Sequence, residues 1–325
     1  MSINVGIIGT GRIADMQLAP AMQQVSGSRL WSVLSRDNQR AEAFASRHGA
    51  QAPVSAHTSL SAFLADPSLE AVIVATPDGL HASHAIAAAR AGKHVLLEKP
   101  MATTTEDAIA ITDTCAQERV KLAIAYHLRW HDGHQRIAAM LHAGELGHPR
   151  YARAMWTWKA EDNSNWRAQQ ELGRWWGLAG VGTHCVDLLR WMLMPLCGEV
   201  TSCRGTIDTS KYGGPHDETA SLSLQFEQGV VADVTTSVVF SAPSRFELYC
   251  DSATVVCENT LGPTGGGSIV INNTALDFDF NNPYVGEIQN FIDAIEGKVR
   301  VAVPGAEGIR NVELLVEATS PAVDL

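Results

Sequence analysis

The sequence predicts an α/β domain followed by an α+β domain, and three observations carry that expectation. Up to residue 123, short apolar runs alternate with segments of helical period, as in a doubly wound parallel sheet. A Gly-x-Gly-x-x-Ala at 9–14 joins the first apolar run to the first helical segment. Beyond residue 124 the pattern changes to two-residue alternation, which fits a large, mostly antiparallel open sheet with helices on one face. A chain of 325 residues is long for one core and comfortable for two. The expected domains are 1–123 and 124–325, with the C-terminal helix able to pack back on the first.

In the first domain, Ile3–Ile8 reads as a strand, with apolar residues Ala14, Leu18, Ala21 and Val25 at helical spacing behind it. Gly9 makes the tight turn and Gly11 lets a pyrophosphate approach the backbone. Arg12 and Ile13 open the helix whose N-terminus faces the phosphates. The next run, 30–34, ends at Ser35-Arg36, about 20 residues beyond the fingerprint, where an acidic residue would grip the ribose 2′-hydroxyl of NAD. A hydroxyl followed by a guanidinium suits a 2′-phosphate instead, so NADP is favoured and NAD is the alternative. Asp37 complicates this, because a one-residue change of register would bring its carboxylate to the ribose.

Residues 71–75 form a fully buried parallel strand ending in the Thr76-Pro77-Asp78 turn, and a helix from His81 to Ala91 stops at Gly92. The strand from His94 to Leu97 then delivers Glu98, Lys99 and Pro100. Proline cannot continue a sheet interior, so the carboxylate and the ammonium are held at a strand's C-terminal edge, where open α/β sheets bind ligands. A helix follows from Thr103 to Glu118, capped by Thr103, Thr104 or Thr105, and then a strand from Lys121 to Ala125.

In the second domain a helix is predicted from His134 to Ala143. Strands are predicted over 150–158, 200–207, 218–226, 230–240, 245–250, 253–258 and 268–272, with a Leu- and Trp-rich helix over 182–194. Two helices, 285–296 and 306–319, close the chain, and Gly265-Gly266-Gly267 reads as a flexible turn. Trp156, Trp158 and Trp166 alternate with Lys159, Asp162, Asn163, Asn165 and Arg167. That pattern fits either sheet core or an aromatic platform for the C–H face of a sugar. His127, His131 and His134 fall at i, i+4 and i+7, but Gly133 interrupts the helix and no His-Glu-x-x-His occurs, so no metal is expected.

Composition excludes several classes. A net charge of −11 argues against nucleic acid or an anionic membrane as partner, and no apolar run approaches the roughly 18 residues of a membrane span. A strand starting at Ile3 leaves no room for a signal peptide. Six cysteines without a Cys-x-x-Cys pair read as buried free thiols of a reducing cytoplasm.

The segments 6–14, Ala-Gly-Lys-His-Val-Leu-Leu-Glu-Lys-Pro at 91–100 and Gly-Thr-His-Cys-Val-Asp at 182–187 carry a resemblance. With Asn165-Trp166-Arg167, Pro283-Tyr284 and 305–310, they are similar to the glucose–fructose oxidoreductase/inositol dehydrogenase (Gfo/Idh/MocA) family over nearly the whole chain. The resemblance implies a Rossmann domain, a C-terminal sheet domain and NAD(P)-dependent redox chemistry on sugars, polyols or related hydroxy and keto compounds. It also implies homodimers or homotetramers formed through the C-terminal sheet.

By the same resemblance Lys99 contacts the reacting oxygen, His184 is the general acid/base, and Glu98 lies near the nicotinamide ribose. Thr76, Pro77 and His81 join the cofactor site, the Lys99–Pro100 bond is cis, and His127, Trp166, Arg167 and Thr183 line the substrate site. One departure stands out: the family's Asp four residues before the histidine is Gly180 here, and Trp175 and Trp176 replace glycines. Two other functional classes therefore stay open, a nicotinamide-dependent glycosidase and a catalytically silent NADP-binding sensor.

Overall fold

The computed structural model describes residues 2–169 and 171–320. They fall into two compact units, one within 2–126 with 284–309 and one within 127–283 with 310–320.

The first unit is built on a six-stranded parallel sheet. Its strands are β1 (Ile3–Ile8), β2 (Ser28–Leu34), β3 (Ala56–His57), β4 (Ala71–Val74), β5 (His94–Leu97) and β6 (Leu122–Ile124), in the order β3-β2-β1-β4-β5-β6. That is the doubly wound Rossmann order, with the reversal beside β1 and β4. All of β1 and β4 is buried, as expected where helices cover both faces. The core gathers Val5, Ile7, Leu18, Val33, Phe44 and Ile73, and helix Pro283–Ile295 adds Tyr284, Ile288, Phe291 and Ile292 to it. Thr104 caps helix Thr105–Gln117 by accepting from the Asp107 N–H. Two elements, β3 and helix Leu60–Leu64, are too short to show a period, whereas helix Asn38–His48, missed in the sequence, buries Ala41, Phe44, Ala45 and His48 at helical spacing.

The second unit holds an eight-stranded sheet. Its strands are β7 (Pro149–Thr157), β8 (Val200–Asp208), β9 (Thr219–Phe226), β10 (Val231–Ser237), β11 (Arg245–Cys250), β12 (Thr254–Glu258), β13 (Ser268–Ile271) and β14 (Thr274–Ala275). The order is β14-β13-β12-β11-β7-β10-β9-β8, antiparallel throughout except where β10 runs parallel to β7. Residues of β9 alternate strictly, with Ala220, Leu222, Leu224 and Phe226 buried and Ser221, Ser223 and Gln225 exposed. The buried side carries helices Asp132–His142 and Thr183–Cys197, whose inward residues are Ile137, Leu141, Val186, Leu189 and Leu193.

Two expectations need correction. Residues 265–267 form a packed turn, not a free one: a Cβ on Gly265 would meet the Asn281 carbonyl, and the Gly266 carbonyl accepts from His131 Nε2. His131 and His134 do not lie on one helical face with His127. His127 sits in the 3₁₀ turn His127–Trp130, and His131 caps the helix that contains His134. Both histidines are structural: His131 Nδ1 accepts from the His134 N–H, and His134 donates to the Leu128 carbonyl and meets the Thr260 hydroxyl. Burial lowers both pKa values, which suits neutral rings.

Candidate functional site

On the nucleotide side, β1 feeds the fingerprint turn. Gly9 has φ +104° and abuts the end of β4, where any Cβ would lie 2.6 Å from the Ala75 carbonyl oxygen, so only glycine fits. Gly11 faces open space, with no atom within 4 Å of where its Cβ would be. The following helix begins with exposed Arg12 and half-buried Ile13, and a π turn over Ala14–Leu18 continues it. A glycine cradle open to one side at a helix N-terminus fits a pyrophosphate.

The end of β2 carries the residues expected at the ribose. Ser35 is buried and accepts from the Thr10 hydroxyl at 3.0 Å, which ties it to the fingerprint turn. Arg36 is exposed. Asp37 caps helix Asn38–His48, its Oδ1 accepting from the Arg40 N–H at 2.7 Å, so its carboxylate already has a structural task. Sequence reading missed Arg40, whose guanidinium donates to the Thr10 carbonyl at 3.4 Å and so joins Arg36 beside the same turn. The signal available was the cap itself, since Asp37 fixes the helix and Arg40 follows in its first turn.

At the ends of β4 and β5, Glu98 and Lys99 are both buried and the Lys99–Pro100 bond is cis. Glu98 Oε2 accepts from the Lys99 backbone N–H at 3.2 Å. Tyr284 belongs to this group: burial, and then the carboxylates of Glu98 and Glu287, hold its phenol well above the ordinary pKa range. Thr76 meets His84 Nδ1 through its hydroxyl at 3.1 Å, and Pro77 precedes the short turn Asp78–Leu80. His81, expected at the cofactor, has both ring nitrogens engaged with backbone carbonyls of its own unit.

In the second unit, Thr183 and His184 open helix Thr183–Cys197 directly after a π turn over Leu178–Gly182. Asp217 caps that entry, with Oδ1 accepting from the Trp176 N–H at 2.8 Å and Oδ2 from the Leu178 N–H at 2.7 Å. Gly177 allows the close approach, since a Cβ there would lie 2.9 Å from Asp217 Oδ2. Farther along the helix, Asp187 takes a bidentate pair from Arg129 at 2.6 and 2.9 Å and a third bond from Asn311. This clamp fixes the 3₁₀ turn carrying His127 against the helix carrying His184. The two buried rings meet edge-on with centroids 4.6 Å apart.

The remaining wall is indole. Trp156, on β7, lies 5.5 Å from the His184 ring, and Trp158, just past the end of that strand, covers Gly180. A Cβ on Gly180 would lie 2.4 Å from Trp158 Cη2, so the space a side chain at 180 would take is filled by an aromatic ring. Trp175 and Trp176 are core residues. Trp176 packs with Tyr212 and Val238, and Trp175 Nε1 donates to the Thr319 hydroxyl. Trp166 and Arg167 make their own pair, with the guanidinium 4.1 Å from the indole centroid, while the ring contacts at His184 come from His127 and Trp156. Among the described residues, no group of three or more His, Cys, Asp or Glu side chains is arranged to hold a metal ion.

Residues 3–126 match the oxidoreductase family with an NAD-binding Rossmann fold, and residues 134–256 match the GFO/IDH/MocA C-terminal domain. The chain belongs to the GFO/IDH/MocA family. It is 27% identical to a 1,5-anhydro-D-fructose reductase of Ensifer adhaerens over 94% of this chain and 91% of that one. It is 30% identical to a D-xylose 1-dehydrogenase (NADP(+)) 2 of Haloferax volcanii over 98% and 99%. Its fold is shared with the aldose-aldose oxidoreductase of Caulobacter crescentus complexed with glycerol, with a TM-score of 0.89 at 20% identity, covering 97% and 96% of the two chains. Membership of the family makes this protein a nicotinamide-dependent oxidoreductase. Among the described residues, no helix is long and apolar enough to cross a membrane.

Proposed function

We propose that the protein moves hydride between nicotinamide C4 and a carbon bearing a hydroxyl or keto oxygen on a sugar, polyol or related compound, with NADP(H) preferred over NAD(H). When bound, the nicotinamide supplies the hydride donor or acceptor. Lys99 holds a fixed positive charge toward the substrate oxygen and stabilises its developing negative charge. His184 gives or takes the proton, since an imidazole works in both directions near neutral pH. Glu98 orients the ribose side and the backbone N–H of Lys99. Ser35, Arg36 and Arg40 bind the 2′-phosphate. Trp156, His127, Thr183, Trp166 and Arg167 shape the substrate wall. The open face of the eight-stranded sheet joins copies into a dimer or tetramer, and the free thiols, five of six fully buried, suit a reducing cytoplasm.

The observation that carries the redox reading is the buried Glu98–Lys99 turn at a strand end, on the same sheet edge as the open glycine cradle. The test is a panel of sugars, polyols and ketoses, followed at the reduced-nicotinamide absorbance with each cofactor. Turnover with a net absorbance change supports the oxidoreductase. Release of a reducing sugar without that change makes it a glycosidase, and tight NADP(H) binding with no turnover of any kind makes it a sensor.

A further inference from the structure

His81 is fully buried, and both of its ring nitrogens face carbonyl oxygens: Nδ1 lies 2.8 Å from that of Pro100 and Nε2 2.9 Å from that of Thr76. A carbonyl oxygen only accepts. Neutral imidazole carries one N–H, so it serves one of these partners and turns a ring lone pair toward the other. Imidazolium donates to both. We infer that His81 is held as a doubly donating imidazolium at neutral pH. As a positioning residue, it joins the Thr76-Pro77-Asp78 turn after β4 to the Glu98-Lys99-Pro100 turn after β5. This rests on the reading of Lys99 as the charge at the reacting oxygen, and it adds what fixes the turn that carries Lys99.

The surroundings bear on the charge. Asp78, buried, sits on the same turn three residues earlier, and His84 follows one turn later on helix His81–Arg90. Burial, and then the charge of His81, disfavours protonation of His84. The neighbouring turn brings Glu98 and Lys99, and helix Thr105–Gln117, packed alongside, opens with Glu106 and Asp107. The helix N-terminus and burial both oppose a cation here; what favours it is that each ring nitrogen faces an acceptor, so that protonation makes two charge-assisted hydrogen bonds. With both nitrogens occupied, His81 offers the cofactor no ring donor or acceptor; its effect on chemistry passes through the two turns.

The decisive experiment is a ring-nitrogen NMR titration of the full-length, 15N-histidine-labelled protein without ligand, from about pH 6 to about pH 9. Expected is one buried histidine with both nitrogens protonated beyond the pH at which ordinary histidines near 6.5 have neutralised. A His81 ring with one unprotonated nitrogen at about pH 7.5 would overturn the inference. His81→Gln provides the assignment and a second readout. Turnover should fall by about 10- to 100-fold while NADP(H) affinity is little changed, as for a misplaced catalytic group. An unchanged kcat would remove the positioning role. If His81→Gln does not fold, assignment through the wild-type backbone still gives the protonation state. Turnover surviving in Lys99→Ala would overturn the Lys99 reading alone, because the NMR result does not depend on it.

Discussion

In the first unit most candidate functional groups stand on turns that follow buried parallel strands: Gly9 and Gly11 after β1, Ser35 and Arg36 after β2, Thr76 and Pro77 after β4, Glu98 and Lys99 after β5. In the second unit the central group, His184, stands within a helix. Its neighbours arrive from a 3₁₀ turn, from β7 and from the residues just before β9. The first arrangement is set by backbone geometry, so apart from Gly9, which admits no Cβ, a side chain there can change with little effect on the fold. The second is set by side chains packing on one another, so most changes to its chemistry also change its stability.

The largest expected effect lies in the first unit. Lys99→Ala should keep NADP(H) binding and thermal stability close to wild type and lower kcat by about 10²–10³-fold, the usual loss when a fixed charge is removed from a developing oxyanion. His184→Ala should also abolish most turnover, but it empties the space beside Trp156 and His127 and should lower the melting temperature as well. Equal destabilisation by the two variants would break the comparison.

Next comes cofactor choice. With both arginines in place NADP(H) should bind about 10- to 100-fold more tightly than NAD(H), since each charge-assisted contact contributes about 1.5–3 kcal/mol, less the cost of ordering exposed side chains. Arg36→Ala should weaken NADP(H) and spare NAD(H), and Arg36→Ala with Arg40→Ala should erase the preference. Fluorescence titration of each cofactor checks this. Equal affinities in the wild type would show that Arg36 and Arg40 do not reach the 2′-phosphate.

The same contrast explains what could be read from the chain. Strand-end turns are contiguous in sequence, so the cradle at 9–14 and the Glu98-Lys99-Pro100 turn were legible, and the two sheets followed from periodicities of 3.6 and 2. Arg40 was readable only through the Asp37 cap that starts its helix, and its reach to the Thr10 carbonyl shows only in three dimensions. The wall around His184 was hidden for a different reason. Trp158 meets Gly180, and Asp217 meets Trp176 and Leu178, across long stretches of chain, and no local spacing encodes such pairs. Gly180 stood out as a missing carboxylate; what fills its place is visible only in three dimensions.

That filling changes what Gly180→Asp should do. With a Cβ held 2.4 Å from Trp158 Cη2, the new side chain forces the indole aside, and overpacking of this kind costs about 1–3 kcal/mol. Gly180→Asp alone should therefore lose stability and activity together. Gly180→Asp with Trp158→Ala should recover part of the stability, a coupling that a double-mutant cycle of denaturation midpoints measures. Strict additivity would mean that the two side chains do not compete for one space. If the double variant is active where wild type is not, the sensor reading gains and the enzyme reading fails.

The smallest effect concerns Asp217, and its sign can be worked out. Burial pushes its carboxyl from the ordinary 3.8 up to about 7, against the backbone N–H groups of Leu178 and Trp176, which favour the ionised form. Between those two values the folded chain holds a proton that the unfolded chain releases. The group's stabilising contribution is thus fully present below about pH 4 and is lost as pH rises through about 7. Asp217→Asn cannot titrate, and it can accept from only one of the two N–H groups. The stability difference between wild type and Asp217→Asn, from urea denaturation at about pH 5 and about pH 8, should therefore shrink toward the higher pH. Because Asp217 caps the π turn before His184, the wild-type helix entry should loosen over the same interval, seen as faster amide exchange at Leu178 with no parallel change at the strand-end turns of the first unit. A difference that stays constant between about pH 5 and about pH 8 would mean that the two N–H donors outweigh burial and hold Asp217 ionised throughout, which would make the helix entry as pH-independent as the turns it contrasts with.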